Sequence, residues 1–139
     1  ERSGLAPAAT VDEAKVTNSS PYGNSTVVAS LAADGRLTKR ARILAALYNG
    51  EALTRLEALT RHGDGCLNTT VSEIQSGWNL TIARRLEHVD TRFSHAQVAR
   101  YWLPSDQAGD AAKVLAQELV RANLFRNSFE ALAALEGNR

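Results

Sequence analysis

The 139-residue sequence predicts a mainly α domain with a small β-hairpin. Three observations predict it. Apolar residues recur at helical spacing in successive short stretches, each closed by a glycine; a later segment alternates with period two up to a proline; and helical spacing then returns to the C-terminus. The length is that of one ordinary domain able to build a core without staples.

Residues 1–24 are rich in Ala, Ser, Thr, Asn, Gly and Pro and sustain neither period, the profile of an arm or linker. The run "TVVASLAA", closed by Asp34 and Gly35, is too short for its pattern to separate strand from helix, and a short helix docking on the domain is the expectation. A helix is predicted over 38–49, with Ile43, Leu44 and Leu47 as its stripe, Thr38 as N-cap and Gly50 after its end. A second is predicted over 54–61, capped by Thr54, with Leu53, Leu56 and Leu59 at helical spacing and Gly63 stopping it.

Gly63, Asp64 and Gly65 form a turn. A third helix over 67–76 would bury Leu67, Val71 and Ile74, spaced i, i+4, i+7, and present Asn68, Thr69, Ser72 and Gln75 outward. Gly77 is expected to end it, and Trp78, Leu80 and Ile82 then alternate with Asn79, Thr81 and Ala83 as a strand would. A matching strand is predicted over 97–103, stopped by Pro104, with "EHVDTRFSHA" as a long hairpin tip. Beyond residue 105, Val114, Leu115, Leu119, Phe125, Phe129, Leu132 and Leu135 give an apolar stripe over two helices interrupted near 123–128. Such a stripe must pack on this domain or on another copy. The division is therefore an extended or weakly structured N-terminal arm over 1–35, a central domain over 36–104 and a C-terminal helical oligomerisation or packing segment over 105–139.

Composition excludes several classes of function. The formal charge of +1 means that a polyanion must be met by a local basic face. Cys66 is the only cysteine, so neither a disulfide framework nor a thiolate-rich metal site is possible, and a reducing compartment fits. Cys66 itself reads as a small buried filler before the third helix. The Asn-x-Ser/Thr triplets at Asn18, Asn24, Asn68 and Asn79 are read as chance without a secretory segment. No apolar run reaches bilayer-crossing length, so no membrane is expected as partner. Glu1 and the lack of any methionine lead to the expectation that the numbering begins inside a longer gene product or after processing. His62, His88 and His95 lack metal-ligand spacing, and no nucleophile triad, nucleotide-binding glycine loop or enclosed carboxylate pair is visible; neither enzyme, metal nor cofactor is expected. Trp78, Tyr101 and Trp102 are expected to pack in the core and across strands.

Three short helices followed by a hairpin resemble the winged helix-turn-helix fold. Residues 42–103 resemble in particular the small winged-helix DNA-binding domains of phage and prophage genomes, through "RILAALYNGEALTRLEAL", a turn, the helix ending in "GW" and the closing "VARYWL". The resemblance implies a third helix inserted in a major groove and a hairpin along the flanking backbone. Asn68, Thr69, Ser72 and Gln75 would then read base edges, since Asn and Gln pair bidentately with adenine and a Thr methyl touches a thymine methyl. No basic residue occurs between positions 64 and 83, so phosphate neutralisation is expected from Arg36, Lys39, Arg40 and Arg42, from Arg55 and Arg61, and from Arg84, Arg85, Arg92 and Arg100, with Arg92 at the wing tip aimed at a minor groove.

Two functions follow as expectations. One is a DNA-binding protein of phage or prophage type, oligomeric through its C-terminal helices, working on duplex DNA in transcription or in replication and packaging control in the bacterial host cytoplasm. The other is a virion assembly or packaging component, resembling small terminase subunits, that uses the same fold for contacts with itself or other phage proteins.

Overall fold

A computed structural model describes residues 26–90 and 92–136. Residues 1–25 lie outside the described residues, and with them most of the predicted arm. Among the described residues the element order is α1 (Thr26–Ala32), α2 (Lys39–Tyr48), α3 (Arg55–His62), α4 (Leu67–Trp78), β1 (Ala83–Asp90), β2 (His95–Trp102), a 3-10 turn (Ser105–Gln107), α5 (Ala108–Arg121) and α6 (Ser128–Glu136). The molecule is mainly helical with a small two-stranded antiparallel sheet.

The axis of the core is α2. Thr38 accepts a hydrogen bond from the Ala41 N–H, and Gly50, just past the helix, has φ 96°, where glycine is favoured. Every residue from Ile43 to Leu47 is sealed from solvent, because α2 is covered on several sides, by α1, α4 and α5. A helix apolar all round must be enclosed in this way. The short apolar run before it is indeed helical, and α1 docks on α2 through Val28, Leu31 and Ala32. The C-terminal stripe packs inward too: Leu115 and Leu119 of α5 and Ala131 and Leu135 of α6 join the same core. Phe129 departs from that stripe, 82% exposed on the outer side of α6.

Helix α3 carries a full capping box: the Thr54 hydroxyl accepts from the Glu57 N–H, and the Glu57 carboxylate accepts from the Thr54 N–H. The predicted stripe Leu53, Leu56 and Leu59 divides. Leu53 is buried before the helix begins, while Leu56 and Leu59 are 67% and 50% exposed and Ala58 alone is buried. A residue outside the helix does not follow its period, so Leu53 carried no information about which side of α3 faces inward.

The hairpin differs from expectation at its start. Gly77 does not end α4; the helix continues to Trp78 and stops at Asn79, which adopts the left-handed conformation at φ 55°. Leu80 and Ile82 are buried as their alternation predicted, but residues 79–82 form a connection outside the sheet, and β1 begins at Ala83. Their amides are satisfied by side chains in place of a strand: Thr81 N–H donates to Gln107 Oε1 at 2.8 Å and Ile82 N–H to Gln75 Oε1 at 3.0 Å. The tip is short, because β1 and β2 pair continuously from Ala83 opposite Trp102 to Asp90 opposite His95. Leu53 forms an isolated antiparallel bridge with Tyr101 through two backbone bonds, each 2.8 Å, which tie the segment before α3 to the hairpin.

Candidate nucleic-acid interface

Buried anchors determine which face α4 presents. Leu67, Val71 and Ile74 are sealed against the core, and Asn68, Thr69, Ser72 and Gln75 are exposed. The start of α4 is held by Asp64, fully buried, which accepts the Thr70 hydroxyl at 2.7 Å and the Cys66 N–H at 2.9 Å, with Lys39 Nζ at 3.5 Å. Burial raises the Asp64 pKa, but Thr70, the Cys66 amide and Lys39 together outweigh it and hold the carboxyl below its ordinary value. Cys66 itself is exposed at the N-cap position, contrary to the expected buried filler: the chain turns outward there while Asp64 fills the interior.

The four expected readers are not equivalent in their surroundings. Asn68, Thr69 and Ser72 stand open, whereas the Gln75 carbonyl oxygen already accepts from Ile82 N–H. Gln75 therefore clamps α4 to the segment that leads into the hairpin.

The basic residues sort into paired and open ones. Lys39 and Arg40, the first residues of α2, find their anionic partners within the chain: Lys39 at Asp64, and Arg40 at Glu73 on α4, 3.4 Å away. The Arg40 guanidinium also lies 5.4 Å from the Trp78 ring centroid, and a Cβ at Gly77 would come within 3.1 Å of it, so the glycine in the helix leaves room for this arginine. Arg42 is half-buried on α2 with its Nε shielded from solvent. Arg36 pairs with Asp34 and Arg61 with Glu51 and Glu57. Arg100, expected on phosphate, is structural: it donates to Glu57 at 2.9 Å, to the Ala52 carbonyl at 2.9 Å and to Glu87 at 2.8 Å. Arg85 stands directly opposite Arg100 in the hairpin, a repulsive arrangement made tolerable because Glu87 Oε2 accepts from both. Burial raises the Glu87 pKa, yet the two arginines more than offset it and hold the carboxyl down. This network locks the hairpin to α3.

Arg55, Arg84 and Arg92 remain, exposed and without a carboxylate ion pair among the described residues. Arg55 opens α3, Arg84 lies near the base of the hairpin and Arg92 at its tip, 5.7 Å from the Phe93 ring centroid. Trp78 and Tyr101 pack on the core, as expected of them. His62 lies 3.0 Å from Glu51, and no group of His, Cys, Asp and Glu able to hold a metal occurs among the described residues. No described helix is long and apolar enough to cross a membrane. Comparison with known proteins finds no matching family model, no matching curated protein and no matching solved structure.

Two features of the site carry a local sequence signature. Thr-x-x-Glu at Thr54 and Glu57 is a capping-box signature, and an aspartate between glycines favours capture of its own downstream amide. The Arg100 network, by contrast, joins residues up to 48 positions apart and has no local signature.

Proposed function

We propose that this chain is a winged helix-turn-helix DNA-binding protein of the phage and prophage type that residues 42–103 resemble, with α4 as its reading helix and β1–β2 as its wing. The observation that carries the reading is the face of α4: Asn68, Thr69 and Ser72 exposed together above a sealed Leu67, Val71 and Ile74, beside a hairpin held rigidly to α3. A helix of this size fits a major groove, and small neutral side chains let it approach base edges. Affinity then comes from Arg55, Arg84 and Arg92, exposed cations of α3 and the hairpin that have no carboxylate ion pair among the described residues, with Lys39 as a partly engaged fourth.

The alternative, a phage assembly or packaging component, drew on the C-terminal apolar stripe as a surface for other copies. Burial of Leu115, Leu119 and Leu135 within this chain takes most of that support away. Fluorescence anisotropy with duplex DNA over a salt series tests the proposal. Neutralisation of about three phosphates gives log K falling against log salt with a slope of roughly −2.7; binding that is absent at low salt, or indifferent to salt, rules the DNA reading out.

A further inference from the structure

Strand β1 has an open outer edge, and the bridge at Leu53 reveals which of its main-chain groups lie there. Tyr101 spends both its N–H and its C=O on Leu53, so neither points at Arg84, which stands opposite it in the hairpin. Arg84 therefore belongs to a non-hydrogen-bonded pair, and its own N–H and C=O point away from β2. The register runs without a bulge from Ala83 to Asp90, so Leu86 and His88 turn outward in the same way. Among the described residues no strand pairs with this edge. Gln75 takes the Ile82 N–H, so the open stretch begins at Arg84. It carries neither proline nor bulge, and Leu86 and Val89 along it are 50% and 40% exposed.

An open edge of this kind takes another extended strand, and β1 is complementary to itself. Two copies of it related by a two-fold axis can hydrogen-bond only where outward-turned residues meet, which leaves few registers. With Glu87 on the axis two carboxylates coincide, with Arg85 two guanidinium groups do, and with His88 only the outer halves of the strands overlap. With Leu86 on the axis no such conflict arises. Leu86 then meets its own copy, Arg85 meets Glu87 of the second copy, Ala83 meets Val89, and Arg84 meets His88. Both exposed aliphatic side chains of the strand gain an apolar neighbour, and opposite charges face each other.

We propose that β1 is a homodimerisation edge: two copies join their hairpins, outer strand to outer strand about Leu86, into one four-stranded antiparallel sheet. The surface for self-association is then the hairpin and not the C-terminal helices, whose Leu115, Leu119 and Leu135 the chain buries within itself. Strand pairing uses main-chain groups in the plane of the sheet, so the Arg84 side chain still projects from its face. The inference stands apart from the DNA reading and needs no duplex.

Sedimentation of the whole chain over a concentration series tests this, and a monomer passing to a dimer is the expected result. Leu86→Lys places two ammonium groups on the axis and should leave a monomer at every concentration, with the circular dichroism of the wild type because that side chain lies outside the core. A cross-link then fixes the register. In a Cys66→Ser background, which removes the native cysteine, Leu86→Cys should oxidise to a covalent dimer, since facing residues of a hydrogen-bonded pair have Cα atoms about 5.5 Å apart, within disulfide reach. Val89→Cys in the same background lies three residues from the axis on each copy and should stay monomeric under oxidation. A wild type that is monomeric throughout overturns the proposal. So does a dimer that Leu86→Lys leaves intact, or one that Val89→Cys cross-links as readily as Leu86→Cys does.

Discussion

The Thr70 hydroxyl donates a 2.7 Å hydrogen bond to Asp64 Oδ2, and both residues are sealed from solvent. Asp64 thereby joins the turn after α3 to the first turns of α4, and its other oxygen serves Cys66 N–H and Lys39. Thr70→Val leaves that buried carboxylate short of a donor and should lower stability by about 1–3 kcal/mol. Asp64→Ala should cost at least as much. Since both act on one bond, the double variant should fall short of the sum, which chemical denaturation of the four proteins would measure.

The same carboxylate makes stability pH-dependent. Its folded pKa lies below its ordinary value of 3.8, so the unfolded chain takes up the proton first on acidification. The stabilisation from Asp64 is therefore complete above that ordinary value and is lost as pH falls through the depressed folded one. Comparing acid unfolding of the wild type with Asp64→Asn should show a flatter stability curve for the variant in that window; parallel curves would contradict the assignment.

Arg100→Ala should release the hairpin from α3. It removes the donor shared by Glu57, Glu87 and the Ala52 carbonyl, at an expected loss of about 1–3 kcal/mol, moderated by partial solvent access. Amide hydrogen exchange in β1 and β2 should accelerate more than in α2, a pattern uniform destabilisation would not produce.

Gln75 and Asn68 should separate clamp from reader. Asn68→Ala removes an exposed side chain with no structural bond among the described ones and should change stability by less than about 0.5 kcal/mol while relaxing sequence preference. Gln75→Ala strands the Ile82 N–H and should lower stability by about 0.5–1.5 kcal/mol. Thermal denaturation that leaves both variants equal to the wild type would remove the clamp.

Under the proposed DNA reading, Glu73 would compete with phosphate for Arg40. Glu73→Gln should free that guanidinium and steepen the salt dependence of duplex binding by about 0.9 in log–log slope, one additional phosphate. An unchanged slope would mean that Arg40 stays on Trp78.

Helices and their caps were legible because they depend on neighbours within a turn: Thr38, Thr54 and Gly63 work through bonds three or four residues long. The sealed face of α4 was legible for the same reason, since Leu67, Val71 and Ile74 repeat with the helical period. Alternation at Leu80 and Ile82 correctly marked burial yet misplaced the strand, because two glutamine side chains can satisfy amides as a strand would.

The sequence alone determined the helical stretches of α2, α3 and α4, the caps at Thr38 and Thr54 and which side of α4 faces the core, since these follow from local backbone hydrogen bonding and a 3.6-residue period; it misplaced the end of α4, which lies at Asn79 and not at Gly77. Tertiary structure decided the disposition of charge. Basic residues at the start of α2 and acids at Asp64 and Glu73 look like separate oddities along the chain, and only packing brings Lys39 to Asp64 and Arg40 to Glu73. Electrostatic attraction depends on distance through space, so no period in the sequence could have told which arginines the fold consumes and which it leaves facing outward.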